Sequence, residues 1–339
     1  MGDELPIGWT REFSRSQARE YFFHAATRKS VWKREEIPTA ATDKSVGDKR
    51  APEEAAGSSQ QVKKSKPDNT PKTSVAIIVP FRDQHAAQKR SQHLKKFIPH
   101  MEAFLAETPG IVNFHVFIVE QSEDGKKFNR GKLLNIGFKY ACEFDTPHPF
   151  NSFIFHDVDL LPQEPVKKWY AKYPKYPIHI ARCWGRYNNN PDYFGGIVAF
   201  SKEDFELIDG FPNLYAGWGG EDDELQKRVA ASKLHIDAPP KNLGRGAIVD
   251  LENMDLKTKL GVLRKTDWKC NVKWEIRDEH NNLRPKRKEL PWWGVKSLEY
   301  KLLSKSSLGE HSTKLLVDIL PNLNADGTEH WSNNKTDWK

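Results

Sequence analysis

Apolar runs of two different periods organise the middle of this chain. Ser74–Pro80 (Ser-Val-Ala-Ile-Ile-Val-Pro) is almost continuously apolar, the pattern of a strand covered on both faces in a parallel sheet. Leu94, Phe97, Ile98, Met101, Phe104 and Leu105 then follow at i, i+3, i+4, i+7, i+10 and i+11, the stripe of an amphipathic helix. Phe114–Val119 reads as the next strand. Arg130–Phe144 reads as a second helix, with Leu134, Phe138 and Ala141 on one side, and Ser152–His156 as a third strand. This β-α-β-α-β order predicts an α/β fold with a Rossmann-like sheet and ligands at the C-terminal ends of its strands. Pro80-Phe81-Arg82 and Asp157-Val158-Asp159 both sit at such ends.

Further along, Ile178–Cys183 and Gly196–Phe200 read as strands. Ser201-Lys202-Glu203-Asp204 carries the capping pattern of a short helix that ends near Gly210. Glu224–Ser232 is helical, and Ser297–Leu303 and Lys314–Leu320 read as strands that finish the sheet. Residues 238–292 are polar and basic and show no clear period. Before the sheet, residues 1–40 hold three short aromatic-rich strands between Leu5-Pro6 and Pro38. Residues 41–73 contain Ala, Ser, Gly, Pro, Lys and Glu without aromatics, which is too little apolar surface to fold. The expected division is therefore a small all-β domain at 1–40, a linker at 41–73, an α/β domain at 74–322 and a tail at 323–339.

Composition narrows the compartment more than the chemistry. The net charge of +7 over 339 residues permits nucleic-acid contact without arguing for it. Three cysteines make no disulfide framework and fit a reducing compartment. The beginning of the chain lacks an apolar leader, and no run of about 18 apolar residues occurs, so no membrane segment is expected. Lys49-Arg50 and Lys63-Lys64-Ser65-Lys66 pair as in a bipartite nuclear import signal, which makes the nucleus the expected location and the cytoplasm the alternative.

Two acidic stretches carry the candidate chemistry. Asp157 and Asp159, one residue apart at a strand end, can hold a divalent ion that bridges a diphosphate. In Tyr215-Ala216-Gly217-Trp218-Gly219-Gly220-Glu221-Asp222-Asp223-Glu224, glycines let a ligand approach the backbone and Trp218 offers an apolar face for a sugar ring. The adjacent carboxylates repel one another, so at least one is a candidate for proton transfer. The plainer reading, an acidic helix N-terminus favoured by the dipole, accounts for the acids and leaves the Gly-Trp-Gly-Gly run unexplained.

Taken together and in order, Val79-Pro80-Phe81-Arg82, Phe128-Asn129-Arg130-Gly131-Lys132-Leu133-Leu134-Asn135, Asp157-Val158-Asp159, Tyr193-Phe194-Gly195-Gly196 and Gly217–Asp223 resemble the β-1,4-galactosyltransferase family. The resemblance implies a GT-A mixed sheet and inverting transfer of a hexose, galactose favoured, from a UDP-sugar to a glycan or other acceptor. It implies Asp222 as catalytic base, with Glu221 and Asp223 orienting the acceptor and Gly219-Gly220 admitting it. Pro80, Phe81, Arg82, Phe128, Arg130, Asp157, Val158, Tyr193 and Trp218 correspond to donor contacts, and Phe128 reads equally well as core. Tyr193 matches the position that separates galactose from N-acetylgalactosamine. Asp159 corresponds to a manganese ligand. The histidine that completes the family's metal site has no counterpart, since none occurs between His235 and His280. Asp250 or Glu252 can substitute, because manganese accepts oxygen ligands; the alternative is a weaker site held mostly by Asp159 and the diphosphate.

Trp9, the Glu20–His24 aromatics, Trp32 and the flanking prolines resemble a WW domain, with Tyr21 and Trp32 forming a groove for proline-rich ligands. The segment Ser14-Arg15-Ser16 resembles the loop of phosphate-reading members, where Arg15 and the Ser14 and Ser16 hydroxyls hold a phosphate. Expected partners are phosphorylated Ser-Pro or Thr-Pro proteins, the RNA polymerase II tail among them. Two rivals stand beside this reading. One is a non-catalytic adaptor with a degenerate transferase fold. The other is a transferase acting on a nucleobase or nucleic acid, suggested by Arg284-Pro285-Lys286-Arg287-Lys288.

Overall fold

The computed structural model describes the strands of the N-terminal region and most of residues 72–321, apart from positions 84–85, 188–189, 241–242, 244, 253, 256, 260 and 262–293. Residues 1–66 and 67–339 form separate compact units. In the first, β1 (Trp9–Ser14), β2 (Arg19–His24) and β3 (Lys29–Val31) make an antiparallel three-stranded sheet in sequential order. Arg15, Ser16, Trp32, the paired basic clusters, the basic 262–293 stretch and the tail lie outside the described residues, as do the side chains of Ser14 and Tyr21.

The second unit is built on β4 (Thr73–Phe81), whose nine residues are all buried. Its alternation divides the core. Val75, Ile77 and Val79 join the cluster under α1 (Arg90–Ala106), while Ala76 and Ile78 join the opposite one. The predicted stripe of α1 holds, since Phe97, Ile98, Met101, Phe104 and Leu105 are buried. Each buried phenylalanine or leucine contributes about 1.5–3 kcal/mol, so the two faces hold the sheet from both sides. β5 (Ile111–Gln121) and β6 (Ser152–His156) flank β4 in parallel, and α2 (Arg130–Cys142) packs on the second face.

Next come β7 (Leu160–Pro162), a single helical turn α3 (Lys167–Tyr170), β8 (Ile178–His179), β9 (Ile197–Phe200), α4 (Lys202–Leu207), α5 (Glu221–Ala231) and β10 (Ile248–Asp250). The unit closes with β11 (Lys301–Gly309) and β12 (Ser312–Asp318). The seven-stranded sheet runs β11-β12-β5-β4-β6-β9-β8 and is mixed, because β9 is antiparallel to β6 and β11 to β12. β7 and β10 form a separate antiparallel ribbon.

Three expectations shift. Only Ile178–His179 of the predicted 178–183 strand is extended, and Ile180–Cys183 turns into a 3-10 helix. The last hairpin begins at Lys301, after a 3-10 turn at Val295–Ser297. The helix expected from Glu224 starts at Glu221, directly after Gly220 at φ 103°. Ser201 caps α4 as predicted, its side chain accepting from the Asp204 N–H at 3.1 Å.

Candidate active site

A cavity of about 470 Å³ opens at the C-terminal ends of β4 and β6. It is lined by Pro80, Phe81, Arg82, Phe128, Arg130, Asp157, Val158, Asp159, Tyr193, Trp218, Gly219, Glu221 and Asp222, so nearly every predicted donor and catalytic position meets there. Gly220 and Asp223 are not among the lining residues. Gly217 of the glycine run also lines it, as do Gln88, Arg90, Arg186, Tyr187 and Lys259, none of which carries a motif in the sequence.

The motif Phe128–Asn135 builds the wall. Asn129 caps α2 by accepting from the Lys132 N–H, and its amide donates to the Asn213 carbonyl at 2.7 Å. Asn135 donates to the Phe211 carbonyl and to Asn213 Oδ1. One helix face thus pins the chain just before the glycine run. Gly217, Gly219 and Gly220 then take φ of 84°, 88° and 103°, the left-handed region closed to most side chains. That path presents Trp218 to the cavity and starts α5 with its acids in the first turn. The acidic helix N-terminus and the glycine-framed site are one structure. Phe128 both lines the cavity and packs against the core.

At the other wall, burial pushes the His156 pKa down to about 4, so the ring is neutral. Its Nδ1–H donates to the Asp157 carbonyl at 2.8 Å, and Nε2 accepts from the Tyr170 hydroxyl at 2.7 Å. This fixes the turn after β6 from within the core.

Two arginines each join a pair of carboxylates. Arg130 donates to Asp157 Oδ1 at 2.7 and 3.0 Å and to Glu221 Oε1 at 3.3 Å, tying the Asp-Val-Asp turn to the start of α5. Burial and the neighbouring Asp222 outweigh Arg130 and push the Glu221 pKa up to about 7. Arg90 donates to Asp159 Oδ2 at 2.7 Å and to Glu252 Oε1 at 3.3 Å, and Lys259 reaches Glu252 Oε2 at 2.6 Å. Burial alone would raise the Asp159 pKa, but Arg90 and Lys259 hold it well below the usual carboxylate range.

The two substitutes expected for the missing histidine separate here. Asp250 pairs with Arg186 at 2.7 Å and accepts from the Glu252 N–H. Glu252 shares Arg90 with Asp159. The ribbon of β7 and β10 produces this, because Asp250 lies opposite Leu160 and the Leu251 N–H donates to the Asp159 carbonyl at 2.7 Å. Arg82 lines the cavity while its guanidinium donates to the Lys126 carbonyl at 2.8 Å, bracing the loop beneath. Tyr193 bonds Tyr187 hydroxyl to hydroxyl at 3.1 Å. Its hydroxyl and Asp222 Oδ2 both close on Gly195, where an added Cβ would lie 2.5 and 2.6 Å from them. The acid and the tyrosine, both of which line the cavity, therefore converge on Gly195.

Among the described residues, no group of three or more His, Cys, Asp and Glu side chains is arranged to hold a metal ion. Asp159 and Glu252 nevertheless converge on one cationic position, and their hard oxygen donors suit manganese. No helix among the described residues is long and apolar enough to cross a membrane.

Residues 41–171 match the family described as the N-terminal region of glycosyl transferase group 7, and residues 176–250 match the N-terminal domain of galactosyltransferase. The chain is 34% identical over 221 residues to beta-1,4-galactosyltransferase 4 of Homo sapiens, covering 62% of this chain and 61% of that protein. It is 31% identical over 266 residues to beta-1,4-galactosyltransferase 2 of Mus musculus, covering 75% and 62%. The chain thus spans about three fifths of the length of these curated relatives. The catalytic domain of Drosophila β1,4-galactosyltransferase 7, solved with xylobiose, superposes with a TM-score of 0.56 at 28% identity, covering 74% of this chain and 95% of that one. A variant of the same enzyme was solved with manganese, UDP-Gal and xylobiose. The shared fold, the order of the motifs and their meeting in one cavity place this chain in glycosyltransferase group 7, the β-1,4-galactosyltransferase family.

Proposed function

We propose that the chain is an inverting hexosyltransferase that moves galactose from UDP-galactose to a hydroxyl acceptor. The observation that carries this is the cavity itself, where the Asp-Val-Asp turn and the acidic start of α5 face one another and are joined by Arg130. Asp222 takes the proton from the attacking hydroxyl. Trp218 supplies a face against the sugars, and Glu221 orients the acceptor. Tyr193, braced by Tyr187, limits the donor pocket to an unsubstituted hexose. Asp159 and Glu252 would hold manganese. When bound, that ion offsets charge on the departing diphosphate. The Drosophila enzyme solved with manganese and UDP-Gal supports this reading.

The test is a panel of UDP-hexoses and UDP-N-acetylhexosamines incubated with the protein, manganese and simple sugar acceptors, reading product by mass. Transfer from UDP-galactose above the others is expected. No turnover of any donor, hydrolysis included, would return the molecule to an adaptor role.

The N-terminal meander adds a second part to the proposal. Its strand order suits a WW domain that recruits the transferase to phosphorylated Ser-Pro or Thr-Pro proteins in the nucleus. Arg15→Ala should cost phosphopeptide binding about 1.5–3 kcal/mol, the worth of a charge-assisted bond, and spare unphosphorylated proline-rich peptides. Equal loss for both peptides would end that idea. Replacing Lys63, Lys64 and Lys66 with alanine should move a tagged chain out of the nucleus, and unchanged accumulation would remove the linker as the address.

A further inference from the structure

We propose that Arg90, together with Lys259, is a built-in counter-cation that occupies the carboxylate pair of Asp159 and Glu252 and has to leave it when a divalent ion binds. The inference rests on the transferase reading of the same cavity and adds a cation exchange to it.

The argument begins with burial. The side chains of Asp159 and Glu252 are 9% and 1% exposed. Two carboxylates that deep cannot stand without a compensating cation, because leaving either charge unpaired is strongly destabilising. Arg90 contacts both carboxylates, and Lys259 contacts Glu252 from the other side. Two monovalent cations therefore balance two carboxylates, the same charge that one divalent ion would bring. The guanidinium lies between the two acids, on the position an ion shared by them would take. Simultaneous occupancy would set the arginine against a divalent charge at contact distance. Entry of the ion thus requires departure of the arginine.

Its location permits that departure. Arg90 is the first residue of α1, immediately after Lys89 at φ 52°, a left-handed conformation costly for a residue with a side chain. Arg90 and Lys259 also line the cavity. Released from the carboxylates, their charges face the volume where a nucleotide diphosphate would lie, and guanidinium groups bind phosphate oxygens well. Metal and diphosphate then favour each other's binding, since the ion frees the arginine and the phosphate receives it.

The exchange is tested by titrating manganese chloride alone into the folded protein by calorimetry, and then UDP in the presence of manganese. Arg90→Gln removes the resident cation. If Arg90 holds the pair nine-tenths of the time, its removal raises the apparent manganese affinity about tenfold. The same variant should bind UDP more weakly at saturating manganese. Opposite signs on the two ligands are the signature, because a merely structural arginine would weaken both. Lys259→Met is the second variant, expected to tighten manganese in the same direction by a smaller factor, and it decides the matter if Arg90→Gln does not fold. Unchanged or weaker manganese binding in folded variants overturns the proposal, as does absence of manganese binding in every form. Failure of the transferase reading looks different: manganese tightens as expected, yet no UDP-sugar is turned over.

Discussion

The cavity has two arginine clamps, and they differ in charge. Arg130 joins Asp157 to Glu221 with Asp222 beside them, so one cation serves three acids. Arg90 joins Asp159 to Glu252 with Lys259 at the second acid, so two cations serve two. The outcome is opposite shifts. Glu221 is raised to about 7, while Asp159 is held far below its ordinary range. An acid-rich clamp retains protons, which in the proposed transfer suits the side that takes up the acceptor's proton. A charge-balanced clamp keeps its carboxylates ionised, which in the same proposal suits the side that holds a cation and the diphosphate. Similar local geometry thus yields two chemistries, through the count of charges around each arginine.

The largest effect that would break this comparison is expected at Asp222. Asp222→Asn keeps the size of the side chain and removes the proton acceptor, which should lower turnover about 10²–10⁴-fold. UDP binding, proposed to lie across the other clamp, should be unchanged in calorimetry. Normal turnover would show that the acid-rich side does not take the proton.

A smaller loss is expected at the balanced clamp. Asp159→Asn should weaken manganese-dependent UDP binding by no less than the ~10–100-fold typical of losing even an outer-shell partner of a metal site, and added manganese should partly restore it. Glu252→Gln should behave alike. Asp250→Asn, whose wild-type carboxylate is paired with Arg186, should change UDP binding little. The reverse order for Asp250 and Glu252 would mean that the ribbon of β7 and β10 brings the wrong acid to the ion.

The smallest effect is a slope. With its pKa raised from 4.5 to about 7, Glu221 binds its proton more tightly in the folded chain than in the unfolded one. Stability linked to this group is complete below pH 4.5 and is lost as pH rises through about 7. Thermal melts of Glu221→Gln across that window should be flatter than those of the unaltered protein. Equal slopes would remove the contrast between the clamps.

Much of this was legible in the chain. β4 is all apolar because both of its faces are covered, and α1 carries its stripe because only one side meets the sheet. The turns after β4 and β6 follow from a parallel arrangement, so Pro80–Arg82 and Asp157–Asp159 could be brought together on paper. The glycine run announced itself because left-handed backbone selects glycine so strongly. The start of α5 lies three residues before Glu224 because Gly220 takes a left-handed φ of 103°, which lets the acids that also read as a helix N-terminus form the first turn.

Only the folded chain decided the charge pairing. Nothing near Arg90 or Lys259 in sequence marks them as partners of Asp159 and Glu252. They meet because β7 and β10 pair, and because α1 begins at the end of β4's loop. Asp250 and Glu252 were equivalent on paper, and a two-residue difference in a ribbon sent one to Arg186 and the other to Arg90. Sequence period determines which faces are buried, because burial is set by local alternation. Which charges meet depends on contacts between segments far apart in the chain, and those exist only after folding.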